Sequence, residues 1–227
     1  MLRISQLKLP VTHTRKELEQ EIIKKAGGRI PNQWQIIRRS VDARKKPELF
    51  YIYTIDAAFP NEKKILQLKK SGWIRAGKTA YRFPYSISLP FDLKLTEEKR
   101  PVIVGAGPAG LFAGLILARH GFRPVIFERG DPVHIRSEKV RDFWEHAVLD
   151  PESNVQFGEG GVGTFSDGKL NTLVKDKFGR NHFVLQEFVR HGAPEDILYE
   201  AKPHIGTDIL KNVVAELRKE IIALGAK

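Results

Sequence analysis

The sequence predicts an α/β protein built from two unlike parts, and three observations carry that prediction. Of its 227 residues, the first 100 hold 22 Lys or Arg against 10 Asp or Glu, whereas the rest are balanced at 16 against 17. Apolar residues in the front part alternate between the two-residue period of strands and the 3.6-residue period of helices. From Pro101 onward an apolar strand, a glycine-rich turn, an apolar helix and a second strand follow directly on one another.

In the front part, residues 1–95, Ile4 to Leu9 open with a strand. Thr14 to Ala26 form a helix with Leu18, Ile22 and Ile23 inward, stopped by Gly27-Gly28. Gln35 to Ala43 and Phe50 to Ala57 read as strands, Glu62 to Lys70 as a short helix, and Ala80 to Tyr85 as a last strand. The order strand, helix, strand, strand, helix, strand fits a ferredoxin-like α+β sandwich, with both helices on one face of an antiparallel sheet. That fold serves many functions and assigns none. Residues 96–100, within the stretch Leu93 to Pro101, form a polar linker, and residues 101–227 form the second part.

In the second part, Val102 to Val104 read as a buried parallel strand, and Leu111 to Arg119 supply an apolar helical face. Between them lie Gly105, Ala106, Gly107, Pro108, Ala109 and Gly110. Gly105 permits the tight turn, Gly107 lets the backbone approach a pyrophosphate, and Gly110 lets the helix pack close to the strand. The first free helix amides then point at the negative charge. Pro124 to Phe127 form the next strand and end at Glu128, whose carboxylate can accept both hydroxyls of an adenosine ribose and disfavours the extra phosphate of NADP. This constellation predicts a Rossmann-like domain that binds FAD. The plain alternative, a turn that only tightens a strand-to-helix connection, leaves Glu128 unexplained.

Gly105 to Gly110 with Glu128-Arg129-Gly130 resembles the amino-terminal FAD-binding segment of two-dinucleotide-domain flavoproteins. Gly158-Glu159-Gly160-Gly161-Val162-Gly163-Thr164-Phe165-Ser166-Asp167-Gly168-Lys169-Leu170 resembles the second loop of a large family of bacterial FAD-dependent dehydrogenases. The resemblance spans residues 1–227, the basic front segment included. It implies noncovalent FAD, with Glu128 on the adenosine ribose and the glycines on the phosphates, and it names no substrate.

The second loop also has a reading of its own. Gly158, Gly160, Gly161, Gly163 and Gly168 allow backbone amides to converge on phosphate or on a flavin edge, and Thr164 and Ser166 add hydroxyls. Lys169 either offsets phosphate charge and charge developing at the flavin, or is an ordinary surface lysine. Asp167 suits a turn beside Gly168. Arg129 either lies over adenine, contacts the phosphates, or is a loop cation.

Beyond the fingerprint, Pro132 to His146 reads as a helix with Val133, Val140, Phe143 and Trp144 packing and Arg136 and Arg141 on a polar side. Asn181 to Arg190 and Pro194 to Leu198 read as short helical pieces. Thr207 to Leu224 is a helix with Thr207 as its N-cap and Ile209, Leu210, Val213, Val214, Leu217, Ile221 and Leu224 on its apolar face. A third parallel strand normally follows such a helix, so the sequence reads as the N-terminal portion of a longer FAD domain. It is expected to be catalytically incomplete and prone to oligomerise through the unfinished sheet edge.

Composition narrows the function classes. The absence of Cys excludes disulfides, thiolate metal ligands and a redox dithiol within these residues, and the seven His show no ligand-pair spacing, so no metal site is expected. No apolar run approaches the ~20 residues of a membrane span and no signal segment opens the chain, so a cytoplasmic protein is expected. Two functions compete. One is an FAD-dependent oxidoreductase acting on an unidentified small molecule or electron acceptor, with NAD(P)H as candidate transient reductant and no catalytic residue assigned. The other is a nucleic-acid-binding or assembly module that uses Arg38, Arg39, Arg44, Lys45 and Lys46 on phosphates and Tyr51 and Tyr53 for stacking. The basic cluster also suits a solvated strand end or a docking surface. In the resembling family the basic segment precedes the FAD domain, which favours docking.

Overall fold

The computed structural model describes residues 1–67, 72–77, 99–170, 172 and 174–227. They fall into two compact units, one within Met1–Arg82 together with Asp196–Pro203, the other within Phe83–Glu195 together with His204–Lys227. The strand expected at Ala80–Tyr85, the last residues of the helix expected at Glu62–Lys70 and most of the linker 96–100 lie outside the described residues.

In the first unit β1 (Leu2–Pro10), α1 (Arg15–Lys25), β2 (Gln33–Asp42), β3 (Phe50–Ala58), α2 (Glu62–Gln67) and β4 (Ile74–Ala76) follow in order. The four strands form one antiparallel sheet in the order β2-β3-β1-β4. Thr14 caps α1 through a capping box: its hydroxyl accepts the Glu17 N–H, and the Glu17 carboxylate accepts the Thr14 N–H at 2.6 Å. Leu18 and Ile22 then bury one helical stripe against the sheet.

The alternation in β1 changes parity midway. Leu2 and Ile4 are buried at even positions, Leu7 and Leu9 at odd ones, because the pairing with β3 shifts between Ile4 and Leu7 where Gln6 takes a left-handed φ of 59°. One extra residue in a bulge turns the later side chains back to the core face. Across the same pair Arg3 grips the buried carboxylate of Asp56 with two bonds of 2.7 Å.

The second unit holds a parallel pair, β5 (Val102–Val104) and β6 (Val125–Phe127), joined by α3 (Pro108–Arg119). Three longer helices follow: α4 (Val133–His146), α5 (Arg180–Arg190) and α6 (Thr207–Ala223). After α6 the Lys227 N–H donates to Pro124 O at 3.0 Å and Lys227 O accepts from Ile126 N–H at 2.7 Å, so the backbone runs onto the outer edge of β6. The core gathers Leu111, Leu115 and Ala118 of α3 with Val213, Val214, Leu217 and Ile221 of α6. A β-carbon on Gly114 would lie 2.7 Å from Ile126 Cδ1, so α3 packs closely on β6 and an added methyl would have to displace the tip of that side chain.

Four expectations are corrected here. β5 is not buried on both faces: Val104 is 87% and Val102 63% exposed, as is Phe127 at 60%, because α3 covers one face and no described element covers the other. Phe143 and Trp144 are exposed on α4, and Arg136, expected on a polar side, is fully buried. Its spacing explains this, since Val133, Arg136 and Val140 share one helical face. The N-cap of α6 is Gly206, and Thr207, its first residue, donates its hydroxyl to Ser166 O at 2.8 Å.

Candidate functional site

The first glycine turn has the local form that its residue types require. Gly105 sits at φ 95°, where side chains are strained, and its N–H donates to Phe127 O at 2.7 Å, tying the turn to β6. Gly107 is the N-cap of α3 and Pro108 its first residue, a position at which the missing N–H costs no helix bond. A β-carbon on Gly107 would meet nothing within 4 Å, whereas one on Gly110 would lie 1.9 Å from Gly105 O. Gly107 therefore leaves open space at the helix start, and Gly110 closes the helix against the turn.

Glu128 stands beside this turn. One carboxylate oxygen accepts the Ala106 N–H at 2.6 Å and the other accepts the Gly130 N–H at 3.0 Å. Each oxygen retains a second lone pair for another donor. Arg129, next in sequence, lays its guanidinium 3.6 Å from the centre of the Phe157 ring and 3.8 Å from Glu152.

The second glycine loop packs on the first. Gly160 N–H donates to Ala106 O at 2.8 Å, and a β-carbon on Gly161 would lie 3.1 Å from Pro108 Cδ and 3.6 Å from Gly107 Cα. Gly130 faces Gly158 so closely that a β-carbon there would lie 2.6 Å from Gly158 Cα. Gly163 borders open space. Thr164 is buried with its hydroxyl lacking a hydrogen-bond partner. Residues 105–110, 128, 158–161 and 164 thus converge.

The last loop residues serve a different junction. Ser166 donates to Gly163 O at 2.8 Å, and Gly168, at φ 72°, presses against Ile205 O. The Lys169 ammonium pairs with Asp167 at 2.6 Å, and this contact raises the lysine pKa and lowers that of the carboxyl. The structure therefore gives Lys169 a carboxylate partner of its own.

Two residues beneath the second loop escaped the reading from sequence. Arg136 donates through all three guanidinium nitrogens to five carbonyls, at 2.8 Å to Asn154, 2.8 Å to Val155, 3.2 Å to Gly158, 2.7 Å to Glu159 and 3.0 Å to Gly161. Glu159 is buried, accepts the Val133 N–H at 2.6 Å at the start of α4 and lies 3.4 Å from Arg218. Burial pushes its carboxyl pKa up, against the pull of the Val133 N–H and Arg218. Arg136 was findable from its i+3 and i−4 relation to two valines.

Two residues of the basic cluster, Arg39 and Arg44, are engaged by carboxylates. Arg39 N–H donates to Tyr199 O at 2.7 Å and Ala201 N–H to Arg39 O at 2.8 Å. Its guanidinium binds Glu200 at 2.6 Å and Asp196 at 3.3 Å, between the rings of Tyr51 and Tyr199. Arg44 grips Asp42 with bonds of 2.8 and 2.9 Å, which hold that carboxyl well below the usual range. Tyr53 is 3% exposed and packs edge-on against His13 and Tyr51, so it offers no open stacking face. Among the described residues no group of His, Asp or Glu could hold a metal, and no helix is long and apolar enough to cross a membrane.

Comparison with known proteins finds separate matches for two stretches of the chain. Residues 1–58 match a domain of unknown function (DUF8436), and residues 103–154 match a family described as an NAD(P)-binding Rossmann-like domain. Over 230 aligned residues the chain is 42% identical to an uncharacterized protein of Clostridium beijerinckii (strain ATCC 51743 / NCIMB 8052), an alignment that covers 100% of this chain. The chain spans 42% of that relative's length. An N-terminal β-sheet domain is thus followed by a Rossmann-like fold region of the nucleotide-binding kind.

Proposed function

We propose that the second unit binds FAD as the cofactor-binding part of an oxidoreductase, with NAD(P)H as its transient reductant. The observation that carries this reading is the convergence of both glycine loops and Glu128 on Ala106. The residues present suit a dinucleotide: Gly107 and Gly163 leave open space where a side chain would intrude, Glu128 retains acceptor capacity, and the buried Thr164 hydroxyl lacks a partner. Glu128 would hold the adenosine ribose, and Gly107, Ala109 and Gly110 at the start of α3 would face the pyrophosphate. Gly160, Gly161, Gly163 and Thr164 would form the opposite wall.

When bound, the flavin supplies the hydride and electron chemistry. This chain's residues contribute orientation and electrostatics. Pairing with Asp167 limits Lys169 to a supporting electrostatic role in this reading. The first unit is read as a ferredoxin-like docking module, because Arg39 and its tyrosines are already committed to the segment Asp196–Pro203.

The test is titration of the purified chain with FAD, NAD and ADP, followed by flavin absorbance and by calorimetry. Saturable FAD binding that ADP competes away supports the reading. Binding of NAD in preference to FAD replaces the cofactor, and binding of none of the three removes the proposal.

A further inference from the structure

We propose that Arg136 is the positioning residue that clamps the second glycine loop against the first, making one dinucleotide cradle of two separate segments. The inference rests on the dinucleotide reading above and adds to it a residue that touches neither glycine turn through its own backbone. Three of the five carbonyls that Arg136 gathers belong to Gly158, Glu159 and Gly161, the residues flanking Gly160. Gly160 in turn makes the bond to Ala106 O that joins the two loops. Turning three neighbouring carbonyls inward onto one cation sets the peptide planes on both sides of that bond.

The choice of residue follows from donor geometry. A guanidinium presents five N–H donors in a rigid plane, and Arg136 uses its three nitrogens on five acceptors. A lysine offers three donors from a single point and cannot span carbonyls from residue 154 to residue 161. The space is equally specific: a β-carbon on Gly158 would lie 2.6 Å from Arg136 Cδ, so the loop is shaped around the side chain. Phe165 closes the cage with its ring 4.6 Å from the guanidinium carbon.

Charge gives the clamp a second consequence. None of the five acceptors is a carboxylate, so carbonyl dipoles alone face the buried cation directly. Burial pushes the Arg136 pKa down, and the charges of Glu128 and Glu159 pull it back up. A fixed positive charge behind the loop favours an anionic ligand in front of it, and in a water-poor site that attraction is screened little.

The experiment uses the intact chain with Arg136→Met and Arg136→Lys, and follows backbone hydrogen exchange without ligand as well as titration with FAD and ADP. In wild type the Gly160 amide, bonded to Ala106 O, should exchange slowly. In Arg136→Met its exchange should accelerate about 100-fold while the α6 amides stay protected, and the FAD and ADP dissociation constants should rise at least tenfold together. Arg136→Lys should recover part of both effects, because it restores the charge without the fork. If Arg136→Met does not fold, Arg136→Lys carries the test alone, with a smaller shift in the same two readouts. Unchanged Gly160 exchange, or a loosened loop with unchanged ligand affinity, overturns the clamp. Failure of the wild-type chain to bind either ligand overturns the dinucleotide reading itself, a distinct result.

Discussion

The two glycine segments of the second unit reach the same place by opposite routes. The first turn takes its steric form from its own residues, since the positive φ of Gly105, Pro108 as the first helical residue and the contact between Gly110 and Gly105 O all fall within six residues, and bonds to Phe127 and Glu128 then anchor it. The second loop owes its shape to distant groups. Arg136 holds its carbonyls, Asp131 O accepts its Glu159 N–H, Ala106 O accepts its Gly160 N–H, and Val214 of α6 lies behind Gly160. Glycine meets both needs in both segments. Gly105 in the first turn and Gly158, Gly160 and Gly161 in the second take positive φ, and the room that Gly110 leaves is filled from within its own turn, whereas the room left by Gly158 and Gly160 is filled in part from distant residues such as Arg136 and Val214.

The comparison can be broken most severely at Gly110. Replacement by Ala places a β-carbon on top of Gly105 O, a rigid backbone atom, and should destabilise the second unit by about 3 kcal/mol or more. Urea unfolding followed by tryptophan fluorescence measures this. A loss below about 1 kcal/mol would show that the turn yields far more easily than its geometry implies.

Glu128→Gln tests function beside the same turn. The amide keeps the size of the side chain but removes a charged acceptor, so FAD affinity should fall by about 1 to 3 kcal/mol. Flavin fluorescence titration reads it, and unchanged affinity would reduce Glu128 to a cap on the Ala106 and Gly130 amides.

The buried carboxyl of the second loop gives a pH signature that the first turn lacks. Because the folded pKa of Glu159 is raised, its contribution to stability is complete below the ordinary carboxyl value of 4.5 and is lost as pH rises through the folded value. Glu159→Gln removes this dependence. The variant should gain stability relative to wild type as pH climbs from 4 toward neutrality, by thermal melts at matched ionic strength. A constant difference between the two proteins across that range would mean that the carboxyl does not titrate with folding.

The smallest effect on the fold is expected at Gly107. A β-carbon there meets nothing, and its φ of −71° is open to any residue, so Gly107→Ala should change stability by no more than about 0.5 kcal/mol. FAD affinity should nevertheless fall about tenfold, since the added methyl occupies the space through which a pyrophosphate approaches the helix start. Stability and affinity moving together would remove the distinction between Gly107 and Gly110.

Legibility in the sequence followed the same division. The first turn, its flanking elements and Glu128 could be read from spacing, because short-range steric rules govern them and each residue type there has few alternative uses. The element order of the first unit through α2 was equally readable from periodicity and from the Thr14–Glu17 capping pattern. The second loop could be recognised as glycine-rich, but not as half of a pair, because its partners lie 20 to 60 residues away.

Only the tertiary structure decided how the charged groups are used. An arginine on a helix face reads as solvent-exposed until five carbonyls are found to surround it, and a basic strand reads equally as a solvated end, a docking surface or a phosphate site, with Arg39 found bound to Glu200 and Asp196 only in the folded chain. The bulge at Gln6 likewise reverses the burial parity of β1 against simple alternation. Local sequence determines backbone preference through sterics that act within a few residues. The cost or gain of burying a charge depends on which acceptors surround it, and that is known only once the chain has folded.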